Sequence, residues 1–387
     1  MIPSLHITGF KLFRDLELPK LGGLNLFVGK NNTGKTCLLE AVELYASSSP
    51  WDILRVAARR EPNGNHRHRI DRFDPFELSA PLQPLLSLFH REREESPSVI
   101  QLVSADPAAD FRLECAPFLH EILEAETSSS ESGKLEPQSR RKQMRHLLQD
   151  GMVLSRGKKG PLPLFFEIAI NRQMTPGRMT LSPERNTLFE EEGWLHPNAS
   201  PVAFLPARGF TTNEAKRLWD KASLADKDEL LLEWLRFVEP EVRDLRYISD
   251  PESGVDLPYL KINGDRGRTP LDSLGDGLTR LFHIGLAMAN ASGGILLIDE
   301  FENGLHWEVQ EQLWKALFNA SNHFGVQVFA TTHSNDCIQA FVGAQKDRLI
   351  PSESYVYRLE RRGEDIRAHE FSAQGLEAAI RQGIEVR

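Results

Sequence analysis

The sequence predicts an α/β fold: a parallel-rich central sheet flanked by helices, with a helical or irregular insertion after the first helix. Three observations predict it. A strand, a glycine turn and a helix follow one another within the first fifty residues. A helix, an apolar strand, a second helix and a second apolar strand alternate between about 271 and 333, the pattern of βαβ units with helix-covered parallel strands. Between these two parts lies a stretch of different character, basic and turn-rich at first and then polar and serine-rich.

The elements can be justified in order. Residues 4–19 alternate like strands, and "LNLFVG" (24–29) is a short apolar run ending in glycine. "KTCLLEAVELYA" carries Leu38, Leu39, Val42 and Tyr45 at helical spacing until "SSSP" breaks it. The segment 51–160, which holds "ARREPNGNHRHRIDR" and "AETSSSESGKLEPQSRRKQ", is expected to be a partly mobile insertion. Order is expected to resume with buried strands at 162–171 and 201–206 and one amphipathic helix from about 213 to 238. A helix from near Leu271, the strand "GGILLIDE", the helix "HWEVQEQLWKALFNASN" and the strand "VQVFATTH" follow; a helix near 335–345, a hairpin near 353–371 and a last helix near 373–383 close the chain. The expected organisation is thus an N-terminal lobe (1–50), the insertion (51–160) and a C-terminal lobe (161–387).

With 387 residues, 40% hydrophobic and 26% charged, the chain can bury a large core. A net charge of −9 argues against a general basic coat, so contact with nucleic acid would need local patches. Three distant cysteines without a C-x-x-C pair point to neither a disulfide framework nor a zinc site. No leader pattern opens the chain and no apolar run nears the roughly 18 residues that a membrane span requires, so a cytoplasmic location and no membrane partner are expected.

"GKNNTGKT", Gly29 to Thr36, fits G-x-x-x-x-G-K-[ST] in full and stands between a strand and a helix, as a P-loop must. Gly29 and Gly34 let the backbone approach phosphates, and the N–H groups of residues 32–36 wrap them at a positive helix end. Asn31, Asn32, Thr33 and Cys37 complete the candidate nucleotide-binding set, with Lys35 on the β- and γ-phosphates and Thr36 on Mg2+. In "ILLIDEFENGLH", Asp299 and Glu300 end a buried strand at the edge where α/β sheets bind ligands. Asp299 is a candidate for the metal and Glu300 for the base that takes the proton of the attacking water, although a solvated strand end would read the same way. "FATTHS" puts His333 at the end of the neighbouring strand, with Thr331, Thr332 and Ser334 crowding the same edge.

"SLGDGLTRLF" offers Ser273, Gly275, Asp276 and Gly277 at a helix start, which together make an anion site. Taken alone, the stretch reads better as a plain helix cap by Asp272 or Ser273. Since the first loop already encloses phosphates from one side, this second turn makes most sense over a γ-phosphate held by another copy of the chain.

These four motifs, in this order, resemble the ABC-type ATPases of the SMC, RecF and OLD group, most of all the short OLD-like AAA-family ATPases of bacteria. The resemblance covers the first fifty residues and about 200 to the end. It implies an ABC-type head of P-loop fold that hydrolyses ATP with Mg2+ and forms a homodimer, or a higher homo-oligomer, with ATP between two heads. It makes Lys35, Glu300 and His333 catalytic, Asp299 and Thr36 metal-positioning, and Ser273, Gly275 and Gly277 the completion of the partner's site. Lys11 or Arg14 in "FKLFRDL" becomes a candidate near nucleotide or DNA. The magnesium-sensing glutamine is left between Gln83 and Gln173. OLD proteins usually carry a Toprim nuclease, whereas this sequence ends close behind the ATPase core, so a nuclease effector would be a separate polypeptide. The expected role is an ATP-driven switch or scaffold for a DNA-directed effector in bacterial defence against phage, with a RecF-like repair or chromosome-maintenance ATPase as the alternative. DNA contact would fall to Arg55, Arg59, Arg60, Arg67, Arg69 and Arg72 or to Arg140, Arg141, Lys142 and Arg145, through phosphates, although a solvated loop accounts for these charge runs at least as well.

Overall fold

A computed structural model describes residues 1–46, 50–59, 87–90, 98–105, 111–117, 164–170, 179–182, 187–190, 200–250, 254–264, 267–346, 353–382 and 386. The strands are β1 (Leu5–Phe10), β2 (Phe13–Leu18), β3 (Leu24–Val28), β4 (Ser98–Val103), β5 (Phe111–Pro117), β6 (Leu164–Ile170), β7 (Met179–Ser182), β8 (Thr187–Glu190), β9 (Val202–Leu205), β10 (Val242–Ser249), β11 (Asp256–Ile262), β12 (Thr269–Pro270), β13 (Ile295–Ile298), β14 (Gln327–Thr332), β15 (Ser354–Arg362) and β16 (Asp365–Phe371). The helices are α1 (Lys35–Ala46), α2 (Pro50–Ala58), α3 (Thr212–Leu224), α4 (Asp228–Val238), α5 (Asp276–Ala291), α6 (Trp307–Phe324), α7 (Asn335–Gln345) and α8 (Ala373–Arg381).

The central sheet has the order β16-β15-β3-β14-β13-β9. Its strands from β15 to β9 run parallel, and β16 closes one edge antiparallel to β15. Parallel strands covered on both faces read as continuous apolar runs, which is why "LNLFV" and "ILLI" show no alternation although each residue faces one side or the other. Leu24, Leu26, Val28, Leu296, Ile298, Val328 and Ala330 pack into the core under α3 to α8. Phe27, Ile295, Leu297, Phe329, Tyr357 and Leu359 pack the other way, against α1, α2 and the β1–β2 hairpin. On that face Phe27 stacks between Phe329 (6.3 Å) and Tyr357 (5.9 Å). Each such ring removed from water contributes about 1.5–3 kcal/mol.

The described part of the segment 51–160 includes α2, β4 and β5. Its strands β4 and β5 join an antiparallel sheet of order β2-β1-β4-β5-β6, in which Ile7 lies opposite Leu102 and Leu113 opposite Ile168. This sheet therefore takes strands from all three parts of the sequence. Strand pairing between residues about ninety apart leaves no local trace in sequence, whereas polar, serine-rich composition does. The helix expected over 213–238 is two helices, broken where Asp226 takes φ 53°. Among the described residues no helix is long and apolar enough to cross a membrane.

Candidate functional site

β3, fully buried between β14 and β15, delivers the chain to Gly29 at the carboxyl edge of the sheet. Gly29 has φ 151°, and a Cβ there would lie 2.7 Å from the Leu359 carbonyl oxygen and 2.8 Å from Thr33 Oγ1, so only glycine fits. Asn32, at φ 64°, bends the loop, and Thr33 Oγ1 braces it by donating to the Lys30 carbonyl at 2.8 Å. The loop closes on its own lysine: Lys35 Nζ donates to the carbonyls of Gly29 (2.7 Å) and Lys30 (2.9 Å). Burial pulls the Lys35 pKa down, and the nearby carboxylates of Glu300, Asp299 and Glu302 oppose the shift. An ammonium resting on two neutral carbonyls is free to exchange them for a stronger anion. Asn31 and Asn32 are exposed at the loop tip, while the Cys37 side chain lies in the core, so Cys37 has only its backbone to offer a ligand.

The acidic pair ends β13, between β14 and β9. Asp299 is 7% exposed; it accepts from Thr36 Oγ1 at 3.2 and 3.0 Å through its two oxygens and from Thr331 Oγ1 at 2.7 Å. Burial raises its pKa, opposed by those two hydroxyls. Thr331 serves both acids, because its hydroxyl also accepts the Glu300 N–H at 2.9 Å. Glu300 stands at φ 48°, a left-handed conformation that a glutamate adopts only where its surroundings impose it. Asn303 Nδ2 holds the Glu300 carboxylate at 2.8 Å and reaches the Ala207 carbonyl at 3.2 Å. At the end of β14, His333 Nδ1 lies 3.7 Å from Glu300 and 3.1 Å from Glu302.

Lys35, Thr36, Asp299, Glu300 and His333 thus meet at one sheet edge. The oxygen donors Thr36 and Asp299, already in contact, suit a hard divalent cation such as Mg2+. A lysine and a glycine loop beside them suit the phosphates that such a cation accompanies.

The second glycine turn is built differently. A 3-10 turn, Leu271–Leu274, leads to Gly275 at φ 102°, which precedes α5 without any side-chain capping bond. The capping role open to Asp272 or Ser273 is not taken. Ser273, Gly275 and Asp276 are exposed, and a Cβ on Gly275 would meet nothing within 4 Å. Among the described residues no hydrogen bond joins residues 273–277 to the loop 29–36. The turn lies instead beside Gly304, whose carbonyl would be 3.4 Å from a Cβ at Gly277.

Sequence reasoning passed over Arg280. It is 4% exposed, and its Nη2 donates to the carbonyls of Asp299 and Glu300, both at 2.9 Å, while Nη1 donates to those of Pro206 (2.9 Å) and Ala207 (3.4 Å). Burial brings its pKa down to about 10 against the raising effect of Asp299, Glu302 and Glu300. One guanidinium therefore ties α5 to the acidic strand and to the loop after β9. An arginine within the apolar run "LTRLFHIGLAM" was the available signal.

Other candidates have internal partners. Lys11 is paired with Glu40 of α1 at 2.8 Å, with both side chains buried, so it does not face solvent. Arg59 grips Glu43 through two contacts, at 2.5 and 2.8 Å, and lies 3.7 Å over the Phe204 ring, and Arg55 pairs with Asp52 at 2.9 Å. Arg55 Nε also lies 3.4 Å from Glu43, so Arg55 of α2 and Arg59 just beyond it both reach α1. Arg60, Arg67, Arg69, Arg72, Arg140, Arg141, Lys142, Arg145, Gln83 and Gln173 lie outside the described residues, as does most of the stretch expected to be mobile.

A family model described as "AAA domain, putative AbiEii toxin, Type IV TA system" matches residues 24–336. A Helicobacter pylori protein described as an ATP/GTP phosphatase is 22% identical over 373 residues, 93% of this chain and 91% of that protein. An uncharacterised protein of Methanocaldococcus jannaschii is 39% identical over 61 residues, 16% of this chain and 28% of its own length. Among solved structures, an SMC head bound to the C-terminal winged-helix domain of ScpA covers 98% of this chain and 99% of its own, at 11% identity and a TM-score of 0.47. The SMC head domain of Thermotoga maritima covers 96% and 99%, at 11% identity and a TM-score of 0.45.

Proposed function

Because the chain belongs to the AAA-domain family described as a putative AbiEii toxin of type IV TA systems, and is a P-loop ATPase of the ABC type, we propose that it is an ATP-gated switch. In this reading two copies close on ATP and relay that state to a separate DNA-directed effector. The observation that carries it is the contrast between a nucleotide loop in contact with its acidic strand, Thr36 on Asp299 at 3.0 Å, and an open, uncapped glycine turn at Ser273–Gly277.

In the proposed site Gly29 to Thr36 cradle the phosphates and Lys35 leaves its two carbonyls for them. Thr36 and Asp299 would hold Mg2+, which supplies charge neutralisation at the phosphates when bound. Glu300, steadied by Asn303, takes the proton of the attacking water, and His333 faces the same reaction from β14. Ser273, Gly275, Asp276 and Gly277 complete the site of the partner copy.

An OLD-like lineage, a Toprim-like nuclease as effector, DNA contact and a role in defence against phage remain parts of this proposal. The family's description as a putative toxin of a TA system is in keeping with defence. Residues 51–160 are proposed as an elaboration of the head. A RecF-like repair ATPase is the alternative, and co-purification with a nuclease rather than with replication or repair proteins separates the two.

The direct test is Glu300→Gln, a change of one atom at the proposed base. It is expected to lower ATP turnover by about 10²–10⁴-fold while ATP and Mg2+ drive the variant into dimers on a sizing column. A variant that turns over ATP at the wild-type rate removes Glu300 from the mechanism; one that stays monomeric with ATP removes the switch.

A further inference from the structure

We infer that Glu302 is the positioning residue for His333, an inference that rests on reading His333 as part of the ATPase site. Glu302 is three residues beyond Asp299, outside the acidic pair, and its side chain is 10% exposed. A single oxygen, Oε1, accepts the His333 backbone N–H at 2.9 Å and lies 3.1 Å from the ring Nδ1. The loop is thus held by a hydrogen bond, and the ring nitrogen faces the same oxygen at ion-pair distance, without hydrogen-bond geometry. Glu300 is farther from the same ring nitrogen, at 3.7 Å, so Glu302 sets the ring's orientation.

The backbone that carries Glu302 has little freedom. Phe301, fully buried, stacks on Trp314 at 3.8 Å, and its N–H donates to the Thr331 carbonyl at 2.9 Å. Glu302 Oε2 is buried with no hydrogen-bond partner among the described residues, an arrangement that costs stability and calls for a reason. Holding Nδ1 from one side leaves Nε2 as the ring's remaining polar atom for substrate. A carboxylate beside one ring nitrogen in this way sets the direction in which a working imidazole faces.

Asn303 does the parallel job for Glu300, so the two residues after Phe301 divide the support of the two catalytic candidates. Glu302 touches no reacting atom in this scheme; it acts through His333.

The experiment is a double-mutant cycle on ATP turnover by the full chain at saturating ATP and Mg2+, with KM for ATP read alongside. His333→Ala is expected to lower kcat by about 10²-fold. Glu302→Ala is expected to lower kcat by about tenfold or more, with KM within about twofold of wild type. The double variant should be no slower than His333→Ala, because residues that act as one unit are lost once. Glu302→Gln keeps an oxygen for the His333 N–H and should recover most of the kcat lost in Glu302→Ala. If Glu302→Ala fails to fold, Glu302→Asp replaces it, and its loss must likewise vanish in the His333→Ala background. Losses that multiply, or a Glu302→Gln variant as slow as Glu302→Ala, overturn the positioning role and leave the His333 reading standing. A wild-type rate for His333→Ala overturns both.

Discussion

Two glycine turns open helices in this chain, and they differ in what satisfies them. The first, Gly29–Thr36, is filled from within: Lys35 binds two loop carbonyls, Thr36 bonds Asp299, and Gly29 is wedged against Leu359. The second, around Gly275, is exposed, has no side-chain cap, and would leave an added Cβ with nothing within 4 Å beyond its chain neighbours. A helix start leaves its first N–H groups without intrahelical partners and carries partial positive charge. At the first turn the side chains that follow the loop are already engaged, Lys35 with loop carbonyls and Thr36 with Asp299, whereas Ser273 and Asp276 at the second turn are exposed. Such asymmetry is what a half-site supplied to another copy would show.

The comparison can be broken at Arg280, the guanidinium that joins α5 to the acidic strand. Arg280→Ala removes charged bonds to four carbonyls and is expected to cost about 3 kcal/mol in chemical denaturation. A loss under about 0.5 kcal/mol would mean that the second turn is not held by the first site's framework.

The glycines themselves sharpen it. Gly29→Ala meets both strain and crowding and should lose about 2 kcal/mol of stability, whereas Gly275→Ala meets strain alone and should lose about 1 kcal/mol. Turnover should nevertheless fall in both. Equal stability losses would erase the distinction between a filled turn and an open one.

A pH-dependent effect, small near neutral pH, is expected from His283, on α5 below the second turn. It accepts the Phe210 N–H at 3.3 Å, and burial brings its pKa down to about 4, with Arg280 and Arg208 adding to the shift and Glu214 opposing it. The unfolded chain protonates this histidine near its ordinary value of about 6.5, so stability is lost as pH falls from about 6.5 towards 4, by at most about 1.4 kcal/mol per pH unit. His283→Gln should flatten the dependence of Tm on pH in that window, and an unchanged slope would place the sensitivity elsewhere.

What sequence made legible was local. The glycine loop, the acidic pair and His333 each sit within a few residues of a strand that announces itself by a run of apolar side chains, and the parallel sheet brings those strand ends together. What it hid was long-range. β4 pairs with β1 across some ninety residues, Arg280 finds carbonyls on two other segments, and Glu302 meets His333 from 31 positions away. Lys11 and Arg59 looked like free cations because their partners, Glu40 and Glu43, lie on the apolar helix α1, where charge is not expected unless it is paired.

The central claim is that the open turn serves another copy's nucleotide, and mixing two inactive chains tests it most directly. Lys35→Ala disables the first turn and Ser273→Arg the second. Each alone should be inactive, and an equimolar mixture should recover about a quarter of the wild-type ATP turnover, since half the dimers are mixed and each has one intact site. A mixture that stays inactive although both chains still dimerise, or a Ser273→Arg chain that is fully active alone, would contradict the account.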